Sequence, residues 1–118
     1  MRFMMMVKHA ENTGRPPKEL MEAMASLSEE AVKAGTMLGS GGLAPTAQST
    51  RVRISNGQLT VTDGPFAETK EALAGVFVLD VPDLDAAIGW AEKCPGAQWG
   101  VIEVRPTATA FVDGAWTR

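Results

Sequence analysis

Apolar residues recur along this chain with two periods, and the switches between them lay out its elements. Phe3 to Val7 is apolar throughout, bounded by Arg2 on one side and by Lys8 and His9 on the other. As a strand it puts Phe3, Met5 and Val7 on one face and Met4 and Met6 on the other, so both faces are expected to be covered. A loop follows around Gly14, and Pro16-Pro17 opens the next element, proline being tolerated in a first helical turn. Leu20, Met24, Leu27 and Ala31 then form one stripe at helical spacing, with the glutamates mostly off it. The spacing predicts a helix over 18–34, stopped by Gly35.

The stretch 36–43 holds a short apolar pair, Met37-Leu38, and then Gly39-Ser40-Gly41-Gly42. It reads as a glycine-rich loop that lets backbone approach a neighbour or a ligand; the lysine of a phosphate-binding loop is missing. Residues 50–54 and 58–62 flank Asn56-Gly57, a strong hairpin signal. Leu59 and Val61 alternate with Thr60 and Thr62, which predicts a strand with one buried face. Residues 68–73 are read as one helical turn. Val76 to Val81 is again apolar on both faces. Pro82-Asp83 starts a second helix with Asp83 as its N-cap, a buried stripe of Leu84, Ala87, Ile88 and Ala91, and Trp90 partly buried beside it. Pro95-Gly96 stops that helix, 99–104 is the last core strand, and 111–116 is a tail with a turn at Asp113-Gly114.

The predicted order is strand, helix, hairpin, strand, helix, strand. That is an α+β, ferredoxin-like sandwich whose second strand is elaborated into a hairpin, in one domain over 1–118 with a core at 2–106 and a tail at 107–118. The two central strands of that topology are the first and third of the basic four, and these are the two segments apolar on both faces. Two helices cover only one side of the sheet. On the other side, Met4, Met6 and half of the 76–81 strand would each forgo roughly 1.5–3 kcal/mol if left in water. A second copy, packed face to face as in a dimeric α/β barrel, is the economical cover.

Between the hairpin and the third core strand, Asp63-Gly64-Pro65 breaks the period and charged residues follow. An Asx turn at Asp63 would close on the amide two residues on, but Pro65 has none. Asp63 therefore takes a partner elsewhere: the Phe66 amide, a more distant group, or a ligand. Both a structural and a ligand-binding role stay open for it.

Asp63-Gly64-Pro65-Phe66, continuing as Ala67-Glu68-Thr69-Lys70-Glu71, resembles the signature of the DGPF-domain branch of the YCII-related proteins. Three further stretches resemble the same family in the same order. They are Gly41-Gly42-Leu43-Ala44-Pro45 with Arg51-Val52-Arg53, residues 74–81, and Ala91-Glu92-Lys93-Cys94-Pro95 ahead of 101–106. The resemblance spans nearly the whole chain and independently implies a dimeric α/β-barrel fold. It also implies a setting, because DGPF domains occur beside or fused to extracytoplasmic-function sigma factors. The family is associated with a His-Asp pair whose histidine lies on the first helix. Here Met24 occupies that position, so the pair is not carried over.

Composition narrows the choices further. Across 118 residues, 45% hydrophobic and 21% charged is ordinary globular composition, and a net charge of −3 gives no basic footprint for nucleic acid. One cysteine excludes an intrachain disulfide, and Cys and His are too few for a structural zinc site; Cys94 reads as a small buried or half-buried hydrophobe. The N-terminal apolar run is shorter than a secretory core and nothing approaches membrane length, so the expected setting is the cytoplasm. No metal and no cofactor signature is visible. The candidate ligand contacts are Lys8 and His9 at the end of the first strand, with Asp63, Glu68 and Lys70 around the motif. Two function classes follow: a homodimeric protein binding or transforming a small polar molecule in a pocket between sheet and helices near the motif loop, or a non-enzymatic accessory module associated with sigma factors.

Overall fold

The computed structural model describes residues 1–11, 17–66 and 71–117. Among these the elements are β1 (Arg2–His9), α1 (Lys18–Lys33), β2 (Met37–Gly42), a 3-10 turn (Thr46–Gln48), β3 (Thr50–Ser55), β4 (Gln58–Asp63), β5 (Ala72–Asp80), α2 (Leu84–Lys93), α3 (Gly96–Trp99), β6 (Val101–Pro106), β7 (Ala110–Val112) and β8 (Ala115–Thr117). Four strands form an antiparallel sheet in the order β2-β5-β1-β6. This is an α+β arrangement compatible with a ferredoxin-like fold, and its central pair, β1 and β5, carries the two segments that are apolar on both faces.

The core lies on the helix side of the sheet. Phe3, Met5, Val7, Phe77 and Leu79 are buried there against Leu27 of α1 and Ala87 of α2, with Cys94 closing the cluster. The Cys94 thiol lies 3.6 Å from the Met24 sulfur, and burial pushes its pKa up, so it packs as a small hydrophobe. The stripe predicted on α1 is the one that packs inward, with Leu27 and Ala31 buried and Met24 against the core. The helix ends as its sequence suggests: the Gly35 and Thr36 amides return to the Val32 and Ala31 carbonyls, each at 3.0 Å. Asp83 caps α2, accepting from the Ala86 amide at 2.9 Å.

The register of α2 differs from the expected stripe. Leu84 and Ile88 are 49% and 39% exposed, whereas Ala87 is buried and Ala86, Trp90 and Ala91 pack on the core. Small residues at the centre of the contact let the helix lie close to the sheet, and the Trp90 ring then covers its flank. Size complementarity, rather than hydrophobicity summed along a stripe, selects that face.

The second strand of the sheet is the glycine-rich stretch itself, not the hairpin. β2 pairs with β5 in the register Gly39↔Val78, Ser40↔Phe77, Gly41↔Val76 and Gly42↔Gly75. Glycine carries no side-chain period, so this strand is invisible to pattern reading; its ladder with β5 holds it. β5 itself begins at Ala72, which replaces the helical turn expected over 68–73 wherever those residues are described. The last strand begins at Val101, because Gly96–Trp99 forms the short helix α3.

The hairpin at Asn56-Gly57 forms as predicted, with positive φ at both residues (51° and 76°), the geometry of a tight twisted turn. It is a separate two-stranded ribbon, however, and no position of β3 or β4 is buried. The expected buried face of Leu59 and Val61 is therefore open within the single chain. β7 and β8 make a second small hairpin in the tail, whose start is fixed by the Thr107 amide donating to the Arg2 carbonyl at 3.0 Å.

Candidate functional site

The Asp63-Gly64-Pro65-Phe66 turn is built by contacts from three parts of the chain. At the ribbon base Thr50 faces Asp63, and its hydroxyl donates to the Asp63 carboxylate at 3.1 Å; this distant group is the partner that Pro65 withholds locally. The Gly64 amide donates to the Ser49 carbonyl at 2.8 Å, and the bond between Gly64 and Pro65 is cis. A Cβ on Gly64 would overlap the Thr46 carbonyl oxygen, so backbone packs on backbone there and only glycine fits. Phe66 lies under the Arg51 guanidinium, 3.7 Å from the ring centroid.

Thr46 is itself held by Glu11. Its amide donates to the Glu11 carboxylate at 2.7 Å and its hydroxyl donates to the other carboxylate oxygen. These two bonds hold the Glu11 pKa below the ordinary carboxylate value, with His9 adding a smaller electrostatic contribution in the same direction. The end of β1 thus reaches the motif turn through Glu11 and Thr46. Neither residue stood out in the sequence, since an isolated Glu in a loop and a Thr after proline carry no spacing signal.

The three described candidates, Lys8, His9 and Asp63, do not converge. Lys8 sits on the helix-free face, where its ammonium donates to Glu103 at 3.0 Å; Arg105 meets the same carboxylate at 2.6 Å, and these cations hold the Glu103 pKa down. His9 follows Lys8 on the strand and its ring lies against Trp99, centroids 3.9 Å apart, with Nδ1 3.1 Å from the Ala10 carbonyl. Asp63 is at the ribbon base, occupied by Thr50. Glu68 and Lys70 lie outside the described residues. Successive strand residues point to opposite faces, which separates Lys8 from His9 despite their adjacency.

A cavity of about 430 Å³ opens instead between α1 and the helix-facing side of β2, β5 and β1. Leu20, Met24, Leu43, Phe77 and Trp99 supply its apolar walls, and Ser28 and Ser40 its hydroxyls. The cause is in the sequence of the two facing elements. Ala25 and Ser28 on α1 look across at Ser40, Gly41 and Gly42 on β2, so neither side has bulk enough to fill the gap. The Ser28 hydroxyl donates to the Met24 carbonyl at 3.1 Å, leaving its oxygen able to accept. None of Lys8, His9 and Asp63 lines the cavity; His9 stands behind Trp99, which does.

Over 93 residues the chain is 37% identical to an uncharacterized protein of Rhizobium meliloti (strain 1021), covering 77% of this chain and 75% of that protein. The model of the YCII-related domain matches residues 1–109, a span that runs from β1 through β6 to the edge of the tail hairpin. With the sheet, both long helices and the motif turn all inside the matched span, the chain belongs to the YCII-related family.

Proposed function

We propose that this protein is a cytoplasmic homodimer of the DGPF type that binds a small molecule in the cavity between α1 and the sheet. The observation that carries the reading is the cavity itself: about 430 Å³ with predominantly apolar walls and two hydroxyls, Ser28 and Ser40. That lining suits a ligand with an apolar body and an uncharged hydrogen-bonding end, rather than the highly polar molecule expected from the charged residues around the motif. The described lining holds no ionisable side chain, so binding, rather than acid–base chemistry, is the supported activity.

The homodimer reading rests on the helix-free side of the sheet. Met4, Met6, Val76 and Val78 make its centre, and Arg2, Asp80, Lys8, Glu103 and Arg105 sit around them by register. An apolar centre with a charged rim is the anatomy of a protein interface. A second reading, the accessory module beside a sigma factor, is favoured by the exposed ribbon, which offers apolar surface to a macromolecule.

Trp99 in the cavity wall reports on occupancy. In a variant with Trp90 and Trp116 replaced by Phe, titration with 1-octanol should shift Trp99 emission saturably, and octanoate should bind more weakly because its carboxylate finds no cation in the lining. Ala25→Phe, which adds bulk to the cavity wall, should abolish the response. A linear, unsaturable change with both probes would sink the binding reading.

A further inference from the structure

We infer that Leu20 and Trp99 are the end-stop of the cavity between α1 and the sheet and set the length of the ligand it accepts; the inference rests on the binding reading and deepens it. A second cavity, of about 360 Å³, lies beside the first, and the two share these residues as walls. Among the described residues, Glu19 and Ala23 line the second cavity alone, and Met24 and Ser28 the first alone. At about 3.6 residues per turn, Glu19 and Ala23 fall on one flank of α1, Met24 and Ser28 on another, and Leu20 on the ridge between them. Leu20 and Trp99 are both half-buried, and neither belongs to the core cluster. They separate two voids rather than fill the interior.

Trp99 is braced from behind. It ends α3, and Gly100 after it packs backbone on backbone: a Cβ there would overlap the Lys8 carbonyl oxygen, and the Gly100 amide donates to the Gly96 carbonyl at 2.8 Å. The His9 ring on β1 lies against the indole. The opposite end of the cavity is marked by Ser28, two turns along α1 from Leu20, or about 12 Å at about 1.5 Å per residue. The Ser28 proton goes to the Met24 carbonyl, so a ligand hydroxyl donates to Ser28 Oγ. From there a straight alkyl tail of the length found in 1-octanol reaches Leu20 and Trp99. The ligand class is an unbranched chain of medium length with an uncharged donor at one end.

Equilibrium dialysis of radiolabelled 1-hexanol, 1-octanol and 1-dodecanol against the full chain tests this. Each buried methylene otherwise strengthens binding about fourfold, so affinity should rise from hexanol to octanol and then fall for dodecanol, whose tail meets the stop. Trp99→Ala and, from the other wall, Leu20→Ala should each open the way into the second cavity and bind dodecanol at least about tenfold more tightly than the wild type does. Circular dichroism checks that each variant is folded, and should Trp99→Ala unfold, Leu20→Ala reads the same change. Ala23→Phe added to Trp99→Ala puts bulk into the second cavity and should take the gain away. A wild type that binds dodecanol more tightly than octanol, or folded variants that bind octanol and keep the wild-type preference, would overturn the end-stop and leave the binding cavity standing. A wild type that binds none of the three saturably removes both.

Discussion

Asp63 and Thr50 show how far a single residue could be read. Pro65 removes the amide that would close an Asx turn, so the need for a distant partner is written in the tetrapeptide. Which partner it takes depends on the ribbon register, which sets Thr50 opposite Asp63 thirteen residues later along the chain. Both residues are exposed, so the bond counts as a cross-strand pair. Asp63→Ala should lower stability by about 0.2–1 kcal/mol, and Asp63→Asn, which keeps an acceptor oxygen, by less. Urea midpoints of the two variants measure this; equal losses would mean that the Thr50 contact contributes nothing. Glu11, by contrast, became visible only through Thr46, because its role depends on the 3-10 turn being brought to the end of β1.

At the scale of elements, hydrophobic period located α1 and the two central strands but only half of the α2 stripe: Ala87 and Ala91 pack inward with Trp90 partly buried beside them, while Leu84 and Ile88 are exposed. The structure makes the difference measurable. Leu84→Ser and Ile88→Ser should each cost little, about 0.5 kcal/mol, because half-solvated side chains lose little burial. Ala87→Leu should cost about 1–3 kcal/mol by overpacking the contact with the sheet. In thermal denaturation, serine variants at 84 and 88 that lose as much as Ala87→Leu would show that Leu84 and Ile88 are buried with the rest of the stripe. On the helix-free side a charge cluster adds to the backbone ladder between β1 and β6. Glu103 accepts from Lys8 and Arg105, and its pKa is depressed on folding. Such a group favours the folded state above its unfolded pKa, about 4.3 for Glu, and the contribution disappears as pH falls through the lower folded value. Wild-type protein should therefore lose midpoint stability below about pH 4.3 more steeply than Glu103→Gln. Parallel slopes would show that the triad is not coupled to folding.

For the whole molecule, the proposed homodimer turns on the side of the sheet away from the helices. On the homodimer reading, Met4→Glu with Met6→Glu places two carboxylates per chain in the interface centre and should leave a monomer or insoluble protein; a well-folded dimer in light scattering would refute it. What the sequence determined by itself was local. Strand and helix periods, the Asn56-Gly57 turn, the Gly35 stop, the Asp83 cap and the double-faced strands that belong at a sheet centre each depend on residues close together in the chain. The tertiary structure alone decided the rest. Glycines at 39, 41 and 42 carry no pattern and become a strand only by pairing with β5. The same small residues, facing Ala25 and Ser28 across the layer, leave the cavity open. Emptiness is a property of two elements together, set by the distance at which the larger side chains around it hold them apart, and no single stretch of sequence records it.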